Sequence, residues 1–325
     1  MKALVTGGSG FIGSHLIEAL LKKNYEVSCL VMENDDLSWI KDYKINFVKG
    51  DVTDKNTLYR AVKGVDYIYH LAAVIVTKRY EDYHKVNFNG TKNIVEACIE
   101  SGVKIKRFLF VSSIAAAGPT EKDKIYNEEK EGAPISDYGR TKLEAEKYLK
   151  SMGKNISFSV VRLPLMYGPR DRGAIFSYFQ AINKGVKLFM GSGLANICFV
   201  RDAVNGMILA AENEIAAGKT YLVAQPGIFS REEIAGWIEK AVGRKAIALR
   251  IPFLVALISI PFFWIIGKLT GKPALFNMRN YNDLKYGYWK YSTEKIEKEL
   301  GFKSEYNLES GTKITAEWYK KNKLL

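Results

Sequence analysis

The chain is poor in cysteine, histidine and arginine-rich tracts. Its three cysteines, Cys29, Cys98 and Cys198, lie far apart in apolar runs with no CxxC spacing. That excludes a disulfide framework and a thiolate zinc site, and it fits a reducing cytoplasm. The three histidines, His15, His70 and His84, stand alone in sequence, so no metal cluster and no histidine acid–base pair is expected. The formal charge of +13 is scattered through helical patterns among many acidic neighbours, and without a basic tract it does not indicate a nucleic-acid partner. Internal repeats and low-complexity linkers are also missing. The opening residues Lys2-Ala3-Leu4-Val5-Thr6 read as a buried strand, unlike the charged start and long apolar core of a secretion signal.

What is present is alternation. Short apolar strands are expected over residues 2 to 6, 26 to 31, 45 to 48, 65 to 70, 106 to 112 and 156 to 162, with helical periodicity over 12 to 23, 54 to 63, 81 to 101 and 137 to 152. Strands separated by crossover helices predict an α/β fold, a doubly wound parallel sheet of the Rossmann type that binds ligand at the carboxyl ends of its strands. Beyond residue 165 the pattern loosens, with helices expected near 172 to 184, 202 to 213 and 230 to 242, the last opened by a Ser230/Glu233 capping box. The expected division is a dinucleotide-binding domain at 1 to 165 and a smaller mixed α/β substrate lobe at 166 to 325.

Thr6-Gly7-Gly8-Ser9-Gly10-Phe11-Ile12-Gly13 joins the first strand to the first helix. Gly7 permits a tight turn, Gly10 lets the amides of the loop approach a diphosphate, and Gly13 allows close helix–strand packing. Phe11 and Ile12 sit in the same turn, so all five are expected at a dinucleotide cofactor, NAD or NADP. The end of the second strand decides between the two, an acid favouring a ribose hydroxyl and an arginine a 2′-phosphate. Here Val31-Met32 is followed by Glu33, Asn34, Asp35 and Asp36; neither rule applies cleanly, and the acidic loop leans weakly toward NAD.

Tyr138-Gly139-Arg140-Thr141-Lys142 places a phenol and an ammonium one helical turn apart, on one face. An ammonium beside a phenol favours the phenolate, so Tyr138 can exchange a proton with a substrate oxygen while Lys142 supports it and holds the cofactor. Ser113, at the end of the fifth strand, is the candidate for orienting the reacting carbonyl; Ser112 is the alternative, since alternation turns only one of the pair to the site. His70 ends the fourth strand and reads as a satisfied strand-end histidine, and Leu71, Ala72 and Ala73 follow it, where small residues suit a cofactor cleft.

Together these residues resemble the extended short-chain dehydrogenase/reductase family. TGGSGFIG, Gly50-Asp51-Val52, HLAA, Val86-Asn87-Phe88-Asn89-Gly90-Thr91, VSS, YGRTK and RLPLMYGP follow the family's order through most of the chain. The resemblance implies that Asp51 and Val52 contact adenine, that Asn87 supports cofactor and proton relay, and that Leu163 and Leu165 flank the nicotinamide. It also implies pairing of two copies through the helices carrying Tyr138 and residues 81 to 101. Family members acting on nucleotide sugars carry an asparagine where this chain has Leu165 and an arginine where it has Ala195. Losing both would leave a buried diphosphate poorly compensated. The chain thus looks closer to the 3β-hydroxysteroid dehydrogenase, dihydroflavonol reductase and aldehyde reductase branch, whose substrates are apolar small molecules. A nucleotide-sugar epimerase or dehydratase with retained NAD, and a cofactor-sensing protein without turnover, are the competing readings.

One run, 251 to 267, is apolar and uncharged between Arg250 and Lys268, and residues 268 to 291 mix cations with tyrosines and Trp289. Prolines at 252 and 261 weaken a straight helix. The run reads as a buried helix or lid on the substrate pocket, as a peripheral membrane contact reaching through residue 291, or, although slightly short for it, as a membrane span.

Overall fold

The structure is a computed structural model that describes residues 1 to 190, 192 to 251 and 286 to 325. The apolar run therefore lies almost entirely outside the described residues.

In chain order the elements are β1 (Lys2–Thr6), α1 (Phe11–Lys22), β2 (Glu26–Val31), β3 (Asn46–Lys49), α2 (Lys55–Ala61), β4 (Tyr67–His70), α3 (Gly90–Glu100), β5 (Arg107–Ser113), α4 (Asp137–Ser151) and β6 (Phe158–Leu163). The second half adds α5 (Ala174–Asn183), β7 (Val186–Met190), α6 (Val200–Glu212), β8 (Thr220–Leu222), α7 (Arg231–Val242), β9 (Ile247–Ile251) and α8 (Leu308–Lys321), with shorter pieces between. One seven-stranded sheet runs β8-β6-β5-β4-β1-β2-β3, every neighbour parallel. Its edge strand β8 comes from beyond residue 165, so the sheet draws on both halves of the chain.

Alternation within the strands explains the layers. Ala3, Val5, Cys29, Tyr69, Leu109 and Val161 turn to one face and bury against Leu16, Ile17 and Leu20 of α1 and Ala203, Val204 and Met207 of α6. Leu4, Leu30, Ile68, Phe108, Phe110 and Val160 turn to the other face, onto Leu58 of α2, Ile94 and Val95 of α3 and Ala145 and Leu149 of α4. Each fully buried side chain of the larger kinds contributes about 1.5–3 kcal/mol. A third cluster packs the elements beyond residue 165 together, from Phe176, Phe179 and Ile182 of α5, Ile234 and Ile238 of α7, and Tyr319 of α8.

The expected helix over 81 to 101 is not continuous. A short turn Tyr80–Tyr83 passes into a π-helical segment, His84–Asn89, before α3 begins. The Ser230/Glu233 capping box is present. The three cysteines are free and buried.

Candidate active site

The order in which strands are added to the sheet reverses at β1: β2 lies on one side and β4 on the other. Parallel sheets open a crevice at such a point. Thr6 and His70, the last residues of β1 and β4, pair there in register, and a cleft of about 1270 Å³ opens above them. That is room for a dinucleotide with a small substrate.

The glycine turn forms the floor. Gly7 has φ +70°, and a Cβ there would sit 2.9 Å from the Ala72 nitrogen; a Cβ on Gly13 would sit 2.2 Å from the Gly7 oxygen. Neither position tolerates a side chain without backbone movement. At the start of α1, Gly10 offers no side-chain cap and the first turn holds no acid, leaving the amide end of the helix and its dipole to an anion. These residues fit a diphosphate. Gly13→Ala is expected to lower the melting temperature and abolish NAD binding, read together by thermal shift with and without NAD; unchanged NAD stabilisation would contradict the assignment.

Beyond the carboxyl ends of β2 and β3 the cleft is lined by Leu30, Met32, Asp35, Gly50, Asp51, Val52 and Thr53. The Asp35 carboxylate accepts the Met32 amide at 3.0 Å, and Asp51 accepts the Thr53 amide at 2.8 Å. Asp35 is thus the acid of the 33 to 36 loop that reaches the cleft, a choice among four neighbours that sequence alone did not make.

Leu71, Ala72, Ala73, Ser113, Tyr138, Lys142, Leu163 and Leu165 all line the same space, with Gly7, Gly10, Phe11, Ile12 and Gly13. Ser136 caps α4 by accepting the Gly139 amide, which fixes the first turn and with it Tyr138. Tyr138 is half-buried, its ring 6.4 Å from that of Tyr83. Lys142 is buried; its Nζ donates to the Val111 carbonyl at 2.8 Å and lies 6.0 Å from the Tyr138 ring centre. Burial pushes the Lys142 ammonium down to about 7, opposed by the charge of Glu146.

Both serines are among the cleft lining, Ser112 buried and Ser113 half-buried, and their hydroxyls differ in partner. The Ser113 oxygen accepts the Ala115 amide at 3.1 Å. The Ser112 hydroxyl donates to Glu146 Oε1 at 2.6 Å. Glu146 in turn takes both ends of the Arg162 guanidinium, Nε at 3.0 Å and Nη2 at 2.6 Å. This buried network was not anticipated, although an arginine inside the apolar strand β6 and a carboxylate four residues past Lys142 are its signals.

Asn87 differs from the expectation. It is fully buried and does not line the cleft; its amide exchanges two hydrogen bonds with the Val74 backbone, at 2.9 and 3.1 Å, and donates to Thr141 Oγ1 at 3.2 Å. It therefore ties the strand-end wall to α4 behind Tyr138. The π-helical turn, a feature that tends to mark functional sites, carries it. His70 is satisfied, between Thr6 Oγ1 at 2.7 Å and Thr91 Oγ1 at 3.0 Å, and burial pulls its pKa down to about 3. A neutral ring fits both contacts, as the sequence reading expected.

The rest of the lining is largely apolar: Val74, Ile75, Val76, Leu165, Met166, Ile175, Tyr178, Phe229 and Trp289, with Ala195, while Thr77, Asp82, Lys85, Asp171, Asn196 and Arg231 are the polar groups beside them. Asp171 is committed to the Gly173 and Phe176 amides ahead of and within α5. Among the described residues no group of histidines, cysteines and carboxylates could hold a metal, and no helix is long and apolar enough to cross a membrane.

Comparison with known proteins agrees with this geometry. Residues 3–224 match the NAD dependent epimerase/dehydratase family. The chain is 31% identical to a UDP-glucose 4-epimerase of Vibrio cholerae over 97% of its own length and 94% of that protein's. It is 32% identical to the sterol-4-alpha-carboxylate 3-dehydrogenase, decarboxylating, of Mus musculus, over 65% of its length and 59% of that protein's. A UDP-glucose 4-epimerase of Thermus thermophilus, solved with NAD, shares the fold with a TM-score of 0.79 at 22% identity, covering 98% of this chain and 99% of that one. The chain therefore belongs to the NAD dependent epimerase/dehydratase family and is an NAD(P)-dependent enzyme of the extended short-chain type.

Proposed function

We propose that the enzyme interconverts an alcohol and a ketone or aldehyde on a hydrophobic small molecule, with NAD as the cofactor. The observation that carries the substrate class is the apolar substrate end, where Leu165 and Ala195 occupy the places at which nucleotide-sugar enzymes present polar contacts to a diphosphate. A buried diphosphate facing those side chains would lose hydration without replacement. The partial identity to a sterol dehydrogenase supports the same class.

For the cofactor, Gly10, Phe11, Ile12 and Gly13 would hold the diphosphate, and Asp35, Asp51 and Val52 the adenosine. Leu30, Met32, Asp35, Gly50, Asp51, Val52 and Thr53 include no cation, and the Asp35 carboxylate favours a ribose hydroxyl over a 2′-phosphate. When bound, the nicotinamide supplies or accepts the hydride. The chain's own residues do the rest. Ser113 orients the substrate oxygen by a hydrogen bond. Tyr138 gives that oxygen its proton in reduction and takes it in oxidation. Lys142 steadies the phenolate and the ribose beside it, and Asn87 fixes the Tyr138 helix against the Val74 strand end.

A second reading, nucleotide-sugar epimerisation with retained NAD, is favoured by the near full-length identity to the Vibrio cholerae enzyme. Cofactor turnover separates the two. The enzyme is incubated with NAD and a panel of steroid, flavonoid and long-chain alcohols, or with UDP-glucose, and NADH absorbance is followed. Sustained NADH formation with an apolar alcohol is expected. Conversion of UDP-glucose to its epimer without net NADH would replace this reading by the second.

A further inference from the structure

Apolar surface and positive charge coincide at one place outside the cleft. β7 and β9 run parallel as a two-stranded ribbon, with Ile247 beside Val186 and Leu249 beside Leu188. Strand alternation turns these four aliphatic side chains to the same face. All four are exposed, Ile247 at 72%, Leu249 at 48%, Leu188 at 38% and Val186 at 36%. On the other face Phe189 buries in the third cluster, and the Lys187 ammonium pairs with Glu239 at 2.8 Å. The ribbon thus presents its aliphatic side outward, the reverse of an ordinary surface strand. An exposed apolar face of that kind invites association.

The surrounding charge identifies the class of partner. Residues 183 to 190 and 243 to 251 contain Lys184, Lys187, Arg244, Lys245 and Arg250 and no carboxylate. Glu239 and Glu232 sit near Lys187 and Arg250, while Lys184, Arg244 and Lys245 are exposed. Four aliphatic side chains with Lys184, Arg244 and Lys245 exposed at one end of the ribbon match an anionic lipid surface, the side chains entering the acyl boundary and those cations meeting phosphates. A second copy of the chain would bring like charges together.

We propose that this ribbon docks the chain onto an anionic bilayer surface. The position agrees with the site: α5 presents Ala174, Ile175 and Tyr178 to the cleft and Phe179 and Ile182 to the cluster that holds Phe189. Docking would place the apolar end of the cleft about one helix diameter, ~10 Å, from lipid, a short route for a lipophilic molecule.

The test uses the full chain and needs no turnover, so its outcome is independent of the proposed reaction. Sedimentation with pure phosphatidylcholine vesicles and with phosphatidylcholine vesicles rich in phosphatidylglycerol is expected to show binding to the anionic set, at least ~10-fold weaker without phosphatidylglycerol or in high salt. Ile247→Ser with Leu249→Ser, and separately Lys184→Glu with Lys245→Glu, are each expected to weaken that binding at least ~10-fold. NAD affinity and circular dichroism should be unchanged, because the four residues are at the surface. The proposal is overturned if the chain stays in the supernatant or if both variants bind as the parent does. A dimer that dissociates in the serine variant would give the ribbon to a second copy and overturn it as well.

Discussion

Tyr138→Phe is expected to lower turnover by about 10²–10⁴-fold, the usual loss when a positioned proton-transfer group is removed, while leaving NAD affinity nearly unchanged. The two parts of the prediction separate because the phenol oxygen serves the substrate, whereas the cofactor rests mainly on the glycine turn and the strand ends. Tyr138 lines the cleft from the first turn of α4, which Ser136 caps. Phenylalanine keeps the ring, its contact with Tyr83 and the helix, and removes only the hydroxyl. Steady-state kinetics with calorimetric NAD titration gives both numbers. Turnover near that of the parent would show that some other group moves the proton.

The second large effect lies two turns further along α4. Glu146 and Arg162 form a buried pair with side chains 1% and 5% exposed, and Ser112 completes the carboxylate's bonds. Removing one member of such a pair leaves a buried charge without a partner, which costs about 3–5 kcal/mol. Glu146→Ala should therefore lose about that much in urea unfolding, and Glu146→Gln, which keeps a carbonyl oxygen facing its partners, should lose less. The pair also acts on Lys142. Burial lowers the Lys142 pKa from 10.5 to about 7 and the Glu146 charge opposes that. Between those two values the unfolded chain holds a proton that the folded chain has released, so this group makes stability rise with pH across that window and level off below it. Taking away the Glu146 charge lowers the folded value further. In Glu146→Gln the rise should begin at a lower pH than in the parent, and in Lys142→Met this component should be gone. Urea melts taken from below neutral pH into the alkaline range read the difference; identical pH dependence in parent and Lys142→Met would contradict it.

Much of this was legible in the sequence, for identifiable reasons. Six of the seven sheet strands announce themselves as apolar runs bounded by glycines or polar turns, and β1 with the glycine turn and α1 forms an unbroken local signal; the three-residue edge strand β8 is too short to do so. Tyr138 and Lys142 were legible because helical spacing alone puts them on one face. Ser112 and Ser113 were not, because alternation says only that they diverge; a contact with Glu146, 34 residues away in sequence, shows which one turns inward. The break in the helix over 81 to 101 was hidden because a π-helical turn has no apolar period of its own, and with it the burial of Asn87. Asp35 was hidden among four candidate loop residues, whose order in space no pattern specifies. The exposed ribbon was hidden for the opposite reason: Val186, Leu188, Ile247 and Leu249 look like core strands, and only register and burial reveal that they face out.

The proposed chemistry requires one geometry, a dinucleotide lying over residues 7 to 13 with the Tyr138 hydroxyl turned to its nicotinamide. A crystal structure of the chain with NAD tests it most directly. The expected result is diphosphate density on the amides of residues 10 to 13, adenosine beside Asp35 and Asp51, and the nicotinamide within reach of Tyr138 and Ser113. Density for the diphosphate anywhere else, or a Tyr138 oxygen directed away from the nicotinamide, would contradict it.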